Sequence, residues 1–532
     1  MNNAQRLVRI LENAGVRWLF GVPSGPVLPV IDALRESSIE FVLTASETSA
    51  AFMASAVGYL TGVPGACVST LGPGATNLAT GIGCAWLDRA PVLAITCNVA
   101  TPWLERRVQM RIDHHALFRP LTKASLPLRR DNIGRLAVEA LALAAAEPPG
   151  PVHLDLPEDV AEAAAATDDT PAPARPRPPA ELPARVVDTV AAALARSRRP
   201  LLVTGLGFTR CRRPERLLPF VERQGMPFVT TLQAKGFLPE NHPCWAGVIG
   251  RARRSDVQAL VRRCDLVIAV GYDPVEINYE EWASGIPLIH LSTETAESGT
   301  GLAWVCNEAC DLDRAIAALS ELPECSNDWS AEELRAHRDA LERALRPAGD
   351  GFAPHEVIDV AREKFPPDAV LACDVGAHTH QIASQWRVDL PRSLLATNGW
   401  SSMGYGMPAA YAAKLVDPRR PVLAIVGDGG FQMTVGELAF ARRLKLAVPV
   451  IVLNDGWLGL MKVKQERRRY SLSGVFLGEP PPSPPHYFGV PCRSARDAAE
   501  LAAALDWARE QDGPSVIEAF VSVESYSLTV FD

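Results

Sequence analysis

Residues 422–457 read Val-Leu-Ala-Ile-Val-Gly-Asp-Gly-Gly-Phe-Gln-Met-Thr-Val-Gly-Glu-Leu-Ala-Phe-Ala-Arg-Arg-Leu-Lys-Leu-Ala-Val-Pro-Val-Ile-Val-Leu-Asn-Asp-Gly-Trp. The apolar run Val422 to Val426 predicts a buried parallel strand that stops at Gly427-Asp428-Gly429-Gly430. From Thr434 to Leu444, the apolar residues Val435, Leu438, Ala439 and Leu444 recur at helical spacing. Val448 to Leu453 is a second apolar strand, ending at Asn454-Asp455-Gly456. Strand, helix and strand make a βαβ unit whose two strands end at one carboxyl edge, where open α/β sheets take their ligands. The pattern therefore sets Asp428 and Asn454 side by side, although 26 positions separate them.

Their chemistry suits one task. A carboxylate, an amide oxygen and the carbonyl of Gly456 are hard oxygen ligands of the kind that hold Mg²⁺ while phosphates complete the octahedron. Glycines 427, 429 and 430 let main-chain N–H groups come close to phosphate oxygens, and the helix that follows points its positive end at them. Gly-Asp-Gly alone is also an ordinary strand-to-helix turn. Asn-Asp-Gly at the next strand end favours the cation and diphosphate.

Gly427-Asp428-Gly429, then 24 residues, then Asn454, resembles the signature of thiamin diphosphate enzymes. Where that family often has Asn-Asn, this chain has Leu453-Asn454, and the resemblance puts the metal on Asn454. It extends over nearly the whole chain and looks most like acetolactate synthases and related 2-keto acid decarboxylases.

The remainder of the sequence bounds this reading. A chain of 532 residues is too long for one core. With 48% hydrophobic and 21% charged residues the composition is that of a globular protein, and a net charge of −8 gives no broad basic surface for nucleic acid. No apolar run of 18 residues and no basic, apolar leader is present, so the expectation is a cytoplasmic protein without a membrane span. The eleven cysteines include no CxxC pair, and Cys67, Cys84, Cys97, Cys264 and Cys373 sit in apolar runs, which predicts buried reduced thiols.

Taken in order, helices and strands alternate throughout, which predicts an α/β protein of three doubly wound parallel-sheet domains. The first spans residues 1–162, with strands at Trp18–Gly21, Phe41–Thr44, Ala66–Thr70, Val92–Thr96 and Val152–Leu156. An Ala/Pro-rich linker, 163–183, reads as an extended tether. The middle domain, 184–325, has strands at Pro200–Thr204, Phe228–Thr231, Leu266–Val270 and Pro287–Leu291. Its Gly205-Leu206-Gly207 lacks the full dinucleotide fingerprint, so a nicotinamide dehydrogenase is disfavoured. A charged helical connector, 326–352, leads to the last domain, 353–532. There the Pro-rich stretch Gly478–His486 reads as a surface loop close to the mouth of the site.

The resemblance assigns roles to further residues. The first domain would bind the pyrimidine and the last the diphosphate and Mg²⁺. Glu47, within Ser46-Glu47-Thr48-Ser49-Ala50-Ala51-Phe52-Met53, matches the Glu that bonds N1′ of the cofactor pyrimidine and so favours the imino form that takes the C2 proton. A lone Glu at a helix start is otherwise a cap or a solvated charge. Asn398 to Ala410 resembles the stretch that supports the bent cofactor, with the Ser401 carbonyl accepting from the 4′-amino group and Met403 wedged beneath the rings. Asp374-Val375-Gly376-Ala377-His378 resembles a diphosphate-side loop, in which His378 bonds a phosphate oxygen or simply caps the turn.

Two departures narrow the function. Pyruvate decarboxylases of the family carry a His-His pair and a Glu six places past the metal Asn; here that place is Leu460. His114-His115 suggests the pair, but the register of Arg119-Pro120-Leu121-Thr122-Lys123 puts Met110 nearer the matching position, and a surface or helix-start pair is the competing reading. Gly271 to Glu276 and Trp282 look like the catabolic acetolactate synthases, which implies no FAD. Those enzymes have a Lys near the first Gly-rich turn, absent from Gly21–Pro26, so Ser24 and Gly25 stand there instead. Trp457, Leu460 and Met461 would give the pocket an apolar wall. The expectation is decarboxylation of a 2-keto acid, pyruvate first, followed by carboligation to a second carbonyl acceptor. The alternatives are a simple decarboxylase releasing an aldehyde and a non-catalytic thiamin diphosphate-binding protein. In the family the cofactor lies between subunits, which implies a homodimer at least and a homotetramer as the expected state.

Overall fold

The computed structural model describes residues 1–165, 181–277, 282–297 and 301–530. Residues 166–180 of the expected linker lie outside the described residues; just before them, Ala164 bridges back to Asn2.

The chain forms three domains, each around a parallel sheet. The first sheet contains β1 (Trp18–Gly21), β2 (Glu40–Leu43), β3 (Gly65–Ser69), β4 (Val92–Asn98), β5 (Ala124–Pro127) and β6 (Pro151–Pro157), in the order β2-β1-β3-β4-β6-β5. The second contains β7 (Pro200–Thr204), β8 (Phe228–Thr230), β9 (Trp245–Val248), β10 (Leu266–Val270), β11 (Pro287–Ser292) and β12 (Ala303–Ala309), in the order β12-β11-β10-β7-β8-β9. The third contains β13 (Val370–Cys373), β14 (Leu394–Leu395), β15 (Val422–Gly427), β16 (Pro449–Asn454), β17 (His486–Tyr487), β18 (Val490–Ala495) and β19 (Ser515–Phe520), in the order β14-β13-β15-β16-β19-β18-β17. Among the described strands only the short outer pair β17–β18 is antiparallel. Most of the central strands are buried on both faces, which is why they read as unbroken apolar runs.

Where strand order reverses, the flanking helices lie on opposite faces and leave a crevice. In the third sheet that point lies between β13 and β15.

The helix Glu47–Thr61 is buried on nearly every side because it is sandwiched between two domains. It and the helix Pro73–Leu87 share one hydrophobic core with Gly406–Val416 and the strands behind it, uniting the first and third domains. Small residues make the approach possible: a Cβ on Gly399 would stand 2.5 Å from the Leu87 Cβ. The middle domain has a separate core, to which the helix Ala331–Ala344 adds Leu334 and Leu341.

The amphipathic stretch Thr434–Leu444 is not one helix. A first helix starts at Asp428 itself and ends at Thr434, and a second runs Glu437–Arg443. The break at Val435-Gly436 brings Gly436 against Ala45 and lets both Glu437 oxygens accept the Ala45 N–H, at 3.0 and 3.1 Å, across the domain boundary. All eleven cysteines are free thiols, and the five expected in apolar runs are buried. Among the described residues no helix is long and apolar enough to cross a membrane.

Candidate functional site

A cavity of about 350 Å³ opens at the carboxyl ends of β13 and β15. Its floor is the pair of turns that follow those strands, and its wall is the segment after β16.

Asp374 ties the floor together. Its buried carboxylate accepts the N–H groups of Gly404 (2.8 Å) and Tyr405 (3.1 Å), so the end of β13 holds the loop that carries Ser401 and Met403. Burial pushes this carboxyl up to about 6, against the main-chain N–H groups that favour its charge. A Cβ on Gly430 would lie 1.8 Å from its Oδ2, so the glycine is what lets the helix start pack there. Sequence reading gave Asp374 no role of its own. The available signal was a carboxylate immediately after a buried strand at a reversal point.

Asp428 begins the next helix. Its Oδ1 accepts Gly429 N–H at 2.7 Å and its Oδ2 accepts Gly456 N–H at 2.8 Å. Burial nevertheless raises its pKa above the usual carboxylate range. Asp428 borders two adjoining hollows: Asp455 shares the cavity with it, and Asn454 and Gly456 share the second. β16 ends at Asn454, and side chains alternate along a strand, so Leu453 and Asp455 look into the cavity. Asn454 looks into an adjoining hollow of about 250 Å³ that Asp428, Gly456, Gly478, Glu479 and Pro480 also border, so the expected pair Asp428 and Asn454 meets there. The Pro-rich loop thus lies beside the site, as expected. Burial first, and then the charge of Asp428, carry Asp455 up to about 8. The Gly456 carbonyl, expected as a ligand, accepts Leu477 N–H at 2.7 Å and keeps a second lone pair, while the Gly456 N–H steadies Asp428.

Gly376, Gly427, Gly429 and His378 all line the cavity. The imidazole of His378 is 4% exposed, lies against Gly376 and Gly427, and has no hydrogen-bond partner at Nε2. Burial depresses its pKa to about 4. Ser401 holds φ +52°, the left-handed region that side chains other than glycine rarely adopt, and its Oγ donates to the Asn398 carbonyl at 2.6 Å. Met403 stands over Gly429, where a Cβ would come within 3.0 Å of the Met403 methyl. Trp457, Leu460 and Met461 form the apolar wall, with Trp457 packed on Phe476 at 4.6 Å between ring centroids. Lys464 joins them at the rim; the spacing of 460, 461 and 464 along one helix face was the missed signal.

Glu47 does not line this cavity within one chain. It opens its helix after β2, with Ser46 accepting Ser49 N–H as the cap, and its Oε2 accepts Asn77 Nδ2–H at 3.1 Å. Gly74 leaves room over its Oε1. Ser24, Gly25, Met110, His114 and His115 are on the first domain as well, and none of them lines the cavity. Met110 holds φ +63° with its carbonyl against Gly72. His114 does start a helix, capped by Asp113, but it is buried rather than on the surface: its Nδ1 meets Asp155 at 2.9 Å and its Nε2 faces the Gly72 N–H at 3.4 Å. His115 is partly exposed and joins His153 through the Ser125 hydroxyl, at 2.6 and 2.7 Å. His114, His153 and Asp155 bring ligand-type atoms close together, but the Thr96 hydroxyl sits among them at 2.8–3.1 Å, so they form a hydrogen-bonded cluster.

Comparison with known proteins agrees with this layout. Residues 1–117 match the description "Thiamine pyrophosphate enzyme, N-terminal TPP binding domain", residues 187–319 its central domain, and residues 374–519 its C-terminal TPP binding domain. The chain is 32% identical to the probable acetolactate synthase large subunit of Methanocaldococcus jannaschii, over 90% of this chain and 85% of that protein. It is 34% identical to the acetolactate synthase of Mycobacterium bovis, over 88% and 79%. It is 30% identical to the acetolactate synthase isozyme 2 large subunit of Escherichia coli, over 98% and 96%.

Proposed function

The chain belongs to the thiamine pyrophosphate enzymes, and on that premise we propose that it decarboxylates a 2-keto acid, pyruvate first, and joins the remaining fragment to a second carbonyl compound. The observation that carries the reading is the cavity at the β13/β15 reversal, which offers two carboxylates, bare glycine main chain and an apolar wall in one place.

The residues present suit the cofactor. Asp428, Asn454 and the Gly456 carbonyl border one hollow and would hold a divalent cation, with the diphosphate completing its shell and Asp455 adding negative charge on the cavity side. Gly427, Gly429 and Gly430 let a phosphate come close to the main chain at a helix start. The partnerless Nε2 of His378, once protonated, would donate to a phosphate oxygen. Ser401 and Met403 would support the rings. Thiamin diphosphate, when bound, supplies the electron sink that makes loss of CO₂ from a 2-keto acid possible.

The other residues of the chain then divide the work. Glu47 would hold the proton at the pyrimidine edge, oriented by Asn77. Trp457, Leu460 and Met461 exclude water and present no acid to the new carbon centre, so attack on a second carbonyl outruns protonation. Glu47 is outside the cavity of its own chain, which supports a site shared between two copies: a homodimer, or a homotetramer of two such pairs. Exposed Trp103, Met110 and Ile112 on the first domain, and Met461, Phe476 and Leu477 near the cavity, supply apolar surface for that contact. We expect no FAD.

A second reading is favoured by His115, whose hydrogen-bonded chain to His153 ends in an open hollow of about 940 Å³ on the first domain. An acid presented there to a partner's cavity would make the protein a simple decarboxylase. Incubation with pyruvate, Mg²⁺ and thiamin diphosphate, with products identified by mass spectrometry, separates the two. A 2-hydroxy-3-keto acid is expected, and stoichiometric aldehyde in the presence of excess acceptor would overturn the carboligase reading.

A further inference from the structure

Asn398 stands where the three domains meet. Its main-chain N–H and that of Gly399 are bonded to Asp88 Oδ1, at 3.1 and 2.9 Å, just past the end of a first-domain helix. Its side-chain Nδ2 donates to the main-chain carbonyl of Glu276 at 3.1 Å, and its Oδ1 accepts from the Arg251 guanidinium. Both of those partners belong to the middle domain. Its carbonyl accepts the Ser401 hydroxyl, and Ser401 keeps the left-handed conformation described above, two residues before Met403 enters the cavity.

We propose that Asn398 is a positioning residue that makes the cavity-facing conformation of Ser401–Met403 depend on the docking of the middle domain. The residue type fits the task. Only an amide offers a donor to the Glu276 carbonyl and an acceptor to Arg251 at once. An Asp would keep Arg251 and lose the carbonyl, and Ser or Gly would reach neither. The main-chain bonds to Asp88 survive any substitution, so the side chain is the specific link to the middle domain. A non-glycine residue at positive φ persists only where its surroundings hold it, and Asn398 is the near end of that hold. The inference rests on the reading of Ser401 and Met403 as cofactor supports.

The test compares Asn398→Gly, Asn398→Asp and Arg251→Met with the wild type. Amide hydrogen exchange of residues 399–404 in the cofactor-free protein reads the loop directly, and Trp400 and Trp457 fluorescence reads thiamin diphosphate binding with Mg²⁺. Asn398→Gly should speed exchange at least ~10-fold and raise the half-saturating cofactor concentration ~10-fold, while kcat at saturation changes less than ~2-fold. Asn398→Asp, keeping Arg251, should fall between, and Arg251→Met should reproduce part of the loss from the other side of the contact. Unchanged exchange in both Asn398→Gly and Arg251→Met, in proteins with wild-type circular dichroism, would overturn the proposal. So would faster exchange with unaltered cofactor affinity. If the wild type binds no thiamin diphosphate at all, the cofactor reading fails, and with it the positioning role.

Discussion

The Gly456 N–H is bonded to Asp428 Oδ2 at 2.8 Å, so the turns that end β15 and β16 are joined before any ligand arrives. That bond leaves Asp428 and Asp455 facing one cavity, and it makes the cation assignment testable residue by residue. Asp428→Ala and Asp455→Ala should each weaken Mn²⁺ and thiamin diphosphate binding by ~100-fold, about 2.7 kcal/mol. Asn454→Ala, which removes the amide beside Asp428 in the second hollow, should weaken both affinities by ~10-fold or more. Calorimetry with Mn²⁺ decides it; wild-type affinity in any one variant would remove that residue from the cation site.

Glu47→Gln keeps size but presents a weak partner for a protonated ring nitrogen. Exchange of the cofactor C2 proton, followed by NMR, should slow ~10²–10⁴-fold with little change in cofactor affinity. Asn77→Ala should have a milder effect in the same direction, since it removes the 3.1 Å bond that orients the carboxylate. A wild-type exchange rate in Glu47→Gln would remove the residue from the mechanism.

If Glu47 and Asp428 serve one site from different copies, two dead variants should rescue each other. Mixed dimers of Glu47→Gln and Asp428→Ala carry one site with both lesions and one with neither. Random re-association should then restore about a quarter of wild-type activity. No recovery after verified subunit exchange would place both residues in a site built by one chain.

Asp374 gives a pH dependence with a fixed sign. Its folded value of about 6 lies above the ordinary 3.8, so its contribution to stability is full below pH 3.8 and is lost as pH rises through about 6. For a carboxyl this deeply buried the window is worth ~3 kcal/mol. Asp374→Asn does not titrate, so between pH 4 and pH 7 the variant should gain ~3 kcal/mol relative to wild type in urea unfolding. A difference that stays constant across that range would show that the carboxyl does not change charge within it.

Much of the fold was legible because parallel strands buried on both faces must be apolar throughout. Trp18–Gly21, Pro200–Thr204 and Leu266–Val270 were placed to the residue. β5, Ala-Ser-Leu-Pro at the sheet edge, has no such run and was missed. Asp428 could be found since glycine on either side is a local signal. Asn454 could be paired with Asp428 because the two stand at the ends of neighbouring parallel strands, whereas Asp455, which shares the main cavity, was given no role from sequence. Asn398 was out of reach for another reason. Its partners Asp88, Arg251 and Glu276 are more than a hundred positions away, and nothing local marks an asparagine whose side-chain bonds cross domain boundaries.

The core shared by the first and third domains has a consequence for biosynthesis. The Ala-rich face of Glu47–Thr61 and Pro73–Leu87 leaves the ribosome long before Gly406–Val416, which follows roughly 330 residues later. At ~5–20 residues per second the nascent chain carries that face uncovered for roughly 15–65 s, while the middle domain, with a core of its own, can close in the interval. Synthesis therefore finishes the middle of the protein before either end, and the unfinished N-terminal domain is the stretch that a holding chaperone would have to shield.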